Sequence, residues 1–575
     1  MPLDLAARSR NRAAMRTAHL IRAFALCSPA FGLALCLSCG NSKPSTATDV
    51  TAAAVDAAAD APGVDAAPDS SQEGLPTPAE RGWSIARNVV HIHSTYSHDA
   101  CDGYIDNFPG QVSTTCLDDL RVALCESGLD VAFLTDHPSH SKEFGFDKLL
   151  QVNLDKGDTP VGDKGAPHAN VVHCPKSDAL PARDVVLTVG YEGTHNMAIG
   201  IHHHFTDGKL QGLSFSDKDS AIEDVKKSVA AIHAAKGVSC NAHSEEDDIS
   251  VQRMVQSGMD CMEVYNTHAN FKTIVGMGSA GSKMNLGRVF LLDKLLGPKD
   301  LSPDPDLAVL IMLDIQPEAA FTKWQAVNSE RKVAGVIGND VHQNVVLEAF
   351  CGPGGQFETL CDGLVDKYPH LVALLKKGGP VMLADGKRID DYRRLLRWIS
   401  NRTLIPPGKP ATERAELTKA AIVAARTWAV YDVLGDPQGL DMAARDKATG
   451  KWVEVGDTAA MGSTLYLRVP DVQPMPWAHW TAADAHDPAN LPTVSLVVWR
   501  IAPGDPKAQK LATLSGAPGS LLMVTPDQPG KYHLEVRLVP KHLRKLMKGM
   551  LSAEDGPELV DLDERWAVGN PIEIK

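Results

Sequence analysis

The sequence predicts an α/β fold in which a β/α barrel precedes a domain rich in β-strands. From about residue 84, short apolar runs alternate with segments of helical periodicity, the pattern of strand–helix repeats. Nearly every predicted strand of this region ends in His, Asp or Glu. Beyond about residue 436, β-rich runs are separated by Gly, Pro and Asp turns, which favours a β-sandwich.

Length, composition and charge limit the class of protein. A chain of 575 residues exceeds one ordinary hydrophobic core, so we expect two or more domains. Hydrophobic residues make up 44% and charged residues 22%, as in soluble globular proteins. The net charge of −14 provides no basic surplus, so we do not expect binding to a nucleic-acid duplex.

The first 39 residues have the pattern of an export signal. Five arginines between residues 8 and 22 lead into an apolar run that ends in small residues. Leu37-Ser38-Cys39-Gly40 resembles the end of a bacterial lipoprotein signal. We therefore expect an exported protein anchored in a membrane, in the periplasm or at the cell surface, through a lipidated Cys39. Plain secretion with cleavage nearby is the alternative.

Residues 40–82 are rich in Ala, Asp, Ser, Pro and Thr and lack the apolar bulk of a core. This composition predicts a disordered linker that holds a folded body away from the membrane. After it we place a metallohydrolase domain at 83–350, a helical extension at 351–435 with a helix over 412–434, and the β-rich, sandwich-like domain at 436–575.

Eight cysteines lie outside the signal region, an even number that permits disulfides in an exported chain. Cys101–Cys116 and Cys351–Cys361 are local candidates, and the sequence leaves the connectivity open. No CxxC motif occurs among these eight cysteines, so we do not expect a thiolate zinc site.

The strand ends carry metal-ligating residue types. In HIHSTYSHD, residues 91–99, alternation along a strand places His91 and His93 on one face. In a β/α barrel the carboxyl ends of the strands meet on one face, so these side chains would gather there. Histidines that were merely exposed on the surface would not recur at the carboxyl ends of successive strands. The residues at these strand ends include His91, His93, Asp136, His137, Glu192, His243, Asp340 and His342.

HIHSTYSHDACDG, LTDH, GYEG, NAHSE and GNDVH, in that order, closely resemble the motifs of the PHP (polymerase and histidinol phosphatase) family over about residues 84–345. SNRTLIP and AARTWAVYDVLGDPQG, at 400–406 and 424–439, resemble more loosely the extension of the CehA/McbA branch of metallohydrolases. The resemblance implies a distorted seven-stranded β/α barrel that holds two or three divalent transition-metal ions.

The resemblance also implies three groups of metal ligands. The first group is His91, His93, Glu192 and Asp340. The second is Glu192, His195 and His243. The third is His98, His137 and His342. The nearby segment GIHHHF at 200–205 is an alternative source for the His195 ligand, although we interpret it as an exposed cluster. We expect His137, Asp340 and His342 to take part in catalysis.

Imidazoles with a few carboxylates suit Zn, Mn or Fe, whereas Mg and Ca prefer oxygen ligands. Paired metal ions bind the attacking and leaving oxygens of a phosphoryl transfer, so no Ser or Cys nucleophile is needed. The GxxxxGK[ST] and GxSxG motifs are absent from the sequence. We therefore expect a metal-dependent phosphoesterase that acts on a small-molecule phosphoester or a related ester.

Two other functions fit the same residues. One is hydrolysis of a carbamate, ester or amide, as the CehA/McbA resemblance implies. The other is a metal-bound surface lipoprotein that binds a partner without catalysis. In the C-terminal domain, Trp477, Trp480 and Trp499 form either a carbohydrate or peptide platform or part of the core.

Overall fold

The computed structural model describes a set of residues that begins at Gly74. These are residues 74–102, 112–205, 219–246, 249–274, 286–313, 317–347, 349, 351, 358–548 and 558–575. The predicted signal peptide and residues 40–73 of the predicted linker lie outside the described residues.

The described strands follow the sequence runs closely. They are β1 (Ser84–Ile92), β2 (Val131–Leu134), β3 (Thr159–Asp163), β4 (Ala166–Cys174), β5 (Arg183–Glu192), β6 (Asn196–Ile201), β7 (Val238–Asn241), β8 (Cys261–Asn266), β9 (Ala334–Val341), β10 (Val346–Leu347), β11 (Gly379–Pro380), β12 (Ser400–Ile405), β13 (Thr427–Val430), β14 (Asp436–Gln438), β15 (Asp441–Arg445), β16 (Trp452–Glu454), β17 (Thr458–Ala459), β18 (Thr464–Arg468), β19 (Asp471–Gln473), β20 (Thr493–Ile501), β21 (Gln509–Leu514), β22 (Leu521–Val524), β23 (Gly530–Val539), β24 (Glu564–Gly569) and β25 (Ile572–Ile574).

The described helices separate most of the barrel strands. They are α1 (Thr114–Glu126), α2 (Pro138–Ser141), α3 (Phe146–Leu149), α4 (Asp219–Ala234), α5 (Val251–Ser257), α6 (Thr267–Ile274), α7 (Leu286–Leu296), α8 (Pro317–Glu330), α9 (Glu358–Leu364), α10 (Pro369–Lys377), α11 (Tyr392–Trp398), α12 (Ala411–Val423) and α13 (Ala482–Ala485). Of the helices in the described ranges, none combines the length and apolar character that crossing a bilayer requires.

Seven strands close into a barrel in the order β1-β2-β5-β6-β7-β8-β9, and β9 returns to β1. The pairs β5–β6 and β6–β7 are antiparallel and the other five are parallel. The sheet is therefore mixed, which differs from a barrel built only of β/α repeats. The reason is the three-residue link between β5 and β6, since a parallel crossover needs a dozen or more residues.

The barrel sheet continues into the C-terminal part of the chain. The first half of β1 pairs with β12, and the sheet then runs through β13, β24, β23, β20 and β21. A separate antiparallel sheet has the order β16-β15-β18-β22. Leu465 and Leu467 of β18 and Leu534 and Val536 of β23 are fully buried in one hydrophobic cluster. The two sheets therefore share a core.

The predicted helix over 412–434 is wrong in its second half. Helix α12 ends at Val423, and Ala425 has a φ of 59°, which ends helical geometry. Residues 427–430 instead form β13, which pairs with β12 and β24. Trp428 and Val430 favour strands, and β24 lies more than a hundred residues away in sequence.

Residues 74–82, within the predicted linker, belong to the folded body. Leu75 is buried beside Tyr466, in the same small cluster as Ala443. Arg81 forms buried ion pairs with Asp441 at 2.8 Å and Glu454 at 2.7 Å. The folded body therefore includes residues before 83, where the sequence analysis placed its boundary.

The eight cysteines outside the signal region form four disulfides. They are Cys101–Cys116, Cys125–Cys174, Cys240–Cys261 and Cys351–Cys361. Both local candidates from the sequence are formed. The other two join elements that the fold brings together, because Cys125 lies on α1 and Cys174 on β4, and the partners Cys240 and Cys261 are paired residues of β7 and β8.

The C-terminal tryptophans pack against the body. Trp480 is 7% exposed. The ring of Trp477 lies 4.8 Å from the guanidinium of Arg87 and 5.4 Å from that of Arg397. Trp499 donates to Glu535 at 2.9 Å. These contacts favour the packing interpretation over a ligand platform.

Candidate metal centre

Four side chains from three barrel strands converge at the mouth of the barrel. His91 Nε2 lies 3.3 Å from both Glu192 Oε2 and Asp340 Oδ1. His93 Nε2 lies 3.1 Å from Glu192 Oε2 and 3.4 Å from Asp340 Oδ1. These are the four residues of the first predicted ligand group, and all are buried. They form the inner cluster.

The donor atoms of the inner cluster fit a transition-metal ion. Ligand atoms around a tetrahedral Zn²⁺ at about 2.0–2.1 Å stand about 3.3 Å apart, which matches the spacing here. Among the described residues, His91 Nε2, His93 Nε2 and Asp340 Oδ1 are buried without a hydrogen-bond partner. Buried polar atoms are rarely left so, and a cation would satisfy all three.

The backbone at three of these strand ends is strained. His91, His243 and Asp340 have φ values of 65°, 53° and 50°, in the left-handed region that non-glycine residues seldom adopt. Such conformations cost about 1–3 kcal/mol each and cluster at functional sites. Each of these residues turns a ligand-type side chain into the centre, so the strain coincides with the site.

A buried carboxylate orients two of the histidines. Glu263 Oε1 lies 2.6 Å from His91 Nδ1, and Glu263 Oε2 accepts from the backbone N–H of His243 at 2.8 Å. Asn266 also donates to Glu263 at 3.0 Å. If His91 is neutral, its Nδ1–H donates to Glu263 and its Nε2 lone pair points into the inner cluster.

The second ligand group is assembled in part. His243 Nε2 lies 3.0 Å from Glu192 Oε1, so Glu192 contacts the first group with one oxygen and His243 with the other. His195 is buried, but the carboxylate found near its Nε2 is Glu246, at 3.9 Å. His243, Glu245 and Glu246 form a further group with metal-ligand spacing, and the sequence analysis missed both glutamates.

The third group differs from the prediction by one residue. His137 Nε2 and His342 Nε2 lie 3.1 Å and 3.4 Å from Asp99 Oδ2, and these three group with His93. The ring of His98 lies 4.9 Å from that of His137. Asp99 was overlooked because His98 matched the expected ligand position. We call Asp99, His137 and His342 the outer cluster.

His268 also reaches the centre and was not predicted. Its Nδ1 lies 3.6 Å from Asp340 Oδ2 and 3.3 Å from His342 Nδ1. It stands in the first turn of α6, directly after β8. His268 lies two residues after the end of β8. The criterion that identified the other candidates, a ligand-type residue at or just after a strand end, would also have identified His268.

The charges of the centre are strongly coupled. Burial opposes charge on Glu192 and Asp340, but the surrounding imidazoles outweigh it and hold the pKa of each carboxyl well below its ordinary value. Burial likewise opposes the protonated form of His137, yet Asp99 and Glu192 raise its pKa to about 9. In this cluster a bound cation would replace protons, since metal binding and protonation compete for the same lone pairs.

No protein-family model and no curated protein sequence matches the chain. One solved structure is similar to it, a two-domain protein from Bacteroides vulgatus containing a predicted PHP-like metal-dependent phosphoesterase. The identity is 12% and the TM-score 0.28, over 80% of this chain and 92% of that one. The likeness is weak, and it assigns no function to this chain.

Proposed function

We propose that this protein is a metal-dependent hydrolase of the phosphoesterase type. The observation that carries the proposal is the inner cluster, where unpartnered lone pairs of two histidines and a carboxylate face one point at metal-ligand spacing. The neighbouring clusters share residues with it. His93 also groups with the three residues of the outer cluster, and Asp340 also groups with His268 and His342. A centre for two or three ions, of Zn, Mn or Fe, is the arrangement that these residues support.

The inner and outer clusters differ in their access to solvent. The side chains of His91 and His93 are fully buried, whereas those of His137 and Asp99 are 20% and 33% exposed. Catalytic metal sites keep an open position and structural ones are closed. Substrate would therefore approach from the side of the outer cluster.

Bound transition-metal ions would supply a hydroxide-like nucleophile and charge neutralisation at the transferred group. The protein's part is orientation and proton handling. Glu263 fixes the His91 ring, and the backbone carbonyl of Glu192 lies 3.2 Å from His137 Nδ1, which orients His137. Asp99 holds His137 and His342 on the open side.

The test is hydrolysis of bis-p-nitrophenyl phosphate by the full chain with added Zn²⁺ or Mn²⁺. We expect metal-dependent turnover that falls at least a hundredfold in His137→Ala and is unchanged in the control His173→Ala, an exposed residue of β4. Metal content measured on the same samples distinguishes protein that binds metal but is inactive from protein that is inactive because it holds no metal.

The same centre would also serve hydrolysis of a carbamate, ester or amide. Turnover of an aryl carbamate or aryl ester, with no turnover of aryl phosphates by metal-loaded protein, would replace the phosphoesterase proposal with this one. Metal binding without turnover of any of these would favour a binding lipoprotein.

We also propose that the protein is exported and anchored by lipid at Cys39. Its four disulfides support an oxidising compartment. Substitution Cys39→Ser should move the protein from the membrane fraction to the soluble fraction of the expressing cell. An unchanged distribution would contradict the anchor.

A further inference from the structure

The chain between His93 and Cys101, directly after β1, carries Asp99 of the outer cluster. We call it the ligand segment. Its residues are all described, and they form neither a helix nor a strand. Regular backbone hydrogen bonding therefore does not set its path, and other contacts decide where the Asp99 carboxylate stands.

A disulfide fixes the end of the ligand segment, two residues beyond Asp99. Cys101 is bonded to Cys116 in the first turn of α1, and the two residues are 5% and 6% exposed. Leu120 and Leu124 of the same helix are buried in the hydrophobic core. The disulfide therefore ties the ligand segment covalently to a helix that the core holds in place.

Other contacts at this end of the segment are weaker. Gln343 and Asn344, in the loop after β9, each donate one hydrogen bond to the backbone of the segment. Asp102, the residue after the disulfide, pairs with Arg388, but its side chain is 40% exposed. Exposed ion pairs contribute little, so the disulfide is the strongest of these ties.

Tyr392 of α11 connects the disulfide with the start of the segment. Its hydroxyl donates to the backbone carbonyl of His93 at 2.9 Å, and the same oxygen lies 3.5 Å from Cys116 Sγ. Tyr392 is 1% exposed. The disulfide thus packs against the group that holds His93, so both ends of the ligand segment depend on the same buried contact.

Within the segment, the Ser97 hydroxyl orients the ligands of the outer cluster. It donates to Asp99 Oδ1 at 2.7 Å, while Asp99 Oδ2 faces His137 and His342. The same hydroxyl accepts from the backbone N–H of His137 at 3.2 Å. His93 Nδ1 lies 3.3 Å from it, so a neutral His93 that donates there keeps its Nε2 lone pair for an ion.

We propose that the Cys101–Cys116 disulfide and the Ser97 hydroxyl are positioning groups that set the metal affinity of the outer cluster. A ligand that becomes ordered only when an ion binds costs conformational entropy, and a covalent tie removes most of this cost beforehand. The inner cluster depends less on the disulfide, because His91, Glu192 and Asp340 lie at the ends of strands. The inference rests on the proposed function, in which the outer cluster holds an ion, but its test measures metal binding and does not need turnover.

The first test is a zinc titration of the full chain against a competing chelator, with the wild type and the variant Cys101→Ser/Cys116→Ser. The outer ion is identified as the one whose binding Asp99→Asn weakens. We expect the serine variant to bind this ion at least about tenfold more weakly and the inner ion unchanged, since loss of groups that orient ligands has effects of this size.

The matched control is Cys125→Ser/Cys174→Ser, which removes the other disulfide of α1 and opens a longer loop. It should leave the affinity for both ions unchanged. Equal weakening of the outer ion in the two serine variants would mean that general loss of stability causes the effect, and it would overturn the proposal.

A double-mutant cycle shows whether the disulfide acts through Asp99. In an Asp99→Asn background, Cys101→Ser/Cys116→Ser should cause little further loss of zinc affinity, because groups that act on one contact are not additive. A further loss as large as in the wild type would overturn the proposal.

Ser97→Ala tests the same positioning with the disulfide intact, and it decides the proposal if circular dichroism shows that the serine variant does not fold. It should weaken the outer ion about 10- to 100-fold. The control Ser257→Ala removes another buried hydroxyl, which donates to the carbonyl of Met254 at 2.8 Å on α5, and should change nothing. Unchanged outer affinity in either folded variant would overturn the proposal.

Metal binding and turnover separate this inference from the proposed function. Wild-type protein that binds zinc at the inner cluster and none that Asp99→Asn affects would overturn the inference and leave hydrolysis by the inner ion possible. Protein that loads both ions and hydrolyses no phosphoester would contradict the phosphoesterase proposal, while the zinc affinities of the variants still decide the role of the disulfide and of Ser97.

Discussion

Glu263 Oε1 lies 2.6 Å from His91 Nδ1, and both side chains are fully buried. The same carboxylate accepts from the backbone N–H of His243, so one residue of β8 aligns ligands from β1 and from the end of β7. Gly338 of β9 leaves room for it, because a Cβ there would lie 1.9 Å from Glu263 Oε1. The arrangement of the inner cluster therefore depends on a residue outside the four that would hold an ion.

We predict that Glu263→Gln lowers metal affinity 10- to 100-fold while leaving the fold intact, as losses of such orienting partners do. Zinc titration with a competing chelator measures it, and circular dichroism checks the fold. The exposed Glu223→Gln on α4 is the control. Unchanged affinity in Glu263→Gln would show that the His91 ring is held by other contacts.

Asp99, rather than His98, is predicted to complete the outer cluster. Asp99→Asn should remove at least one equivalent of bound metal or lower turnover more than tenfold, because the carboxylate that His137 and His342 share is lost. His98→Asn should have a smaller effect on both. Metal content and turnover of the two variants, compared side by side, decide between the sequence-based and the structure-based assignment. A larger effect of His98→Asn would restore the original assignment.

The sequence predicted the strand ends well and the loops that follow them poorly. His91, His93, Glu192 and Asp340 meet as expected, because strand order and side-chain alternation determine where they point. Asp99 lies in the loop after β1. A loop has no regular alternation of side chains, so the sequence does not indicate whether His98 or Asp99 points into the centre.

The fold shows the same division. Glu192 and Asp340, predicted at strand ends, lie within one residue of the ends of β5 and β9, whereas β13 was predicted as helix. A strand such as β13 is defined by partners distant in sequence, in this case β12 and β24, and single-sequence patterns do not contain that information. The pairing of Cys125 with Cys174 was open for the same reason.

The stability that the buried, neutral His542 contributes should be lost on mild acidification. Burial lowers the pKa of His542 to about 4, while in the unfolded chain it is near 6.5. Below pH 6.5 the unfolded chain binds a proton that the folded chain does not. The stability from neutral His542 is therefore complete above pH 6.5 and is lost as the pH falls toward 4.

The test compares His542→Phe with the wild type by urea unfolding between pH 7 and pH 5, with chelator present. The difference in unfolding free energy should shift by about 1–2 kcal/mol in favour of the variant as the pH falls. Replacing the exposed His203 by Phe should leave the slope unchanged. A parallel pH dependence of His542→Phe and wild type would show that His542 is protonated in the folded protein.

The Cys125–Cys174 disulfide, which joins α1 to β4, should contribute more stability than the Cys351–Cys361 disulfide, which closes a shorter loop. Cys125 and Cys174 are 49 residues apart, and Cys351 and Cys361 are 10 apart. Loop-closure entropy predicts losses of about 4 and about 3 kcal/mol when each pair is replaced by serine. Urea unfolding of the two double variants measures this. A greater loss from the 351–361 pair would indicate that native contacts, not chain entropy, dominate.

Anomalous diffraction from a crystal of the protein soaked in Zn²⁺ tests the inner cluster directly. We predict a zinc peak within about 2.0–2.2 Å of His91 Nε2, His93 Nε2, Glu192 Oε2 and Asp340 Oδ1. Zinc bound only elsewhere on the surface, with these four atoms unligated, would contradict it.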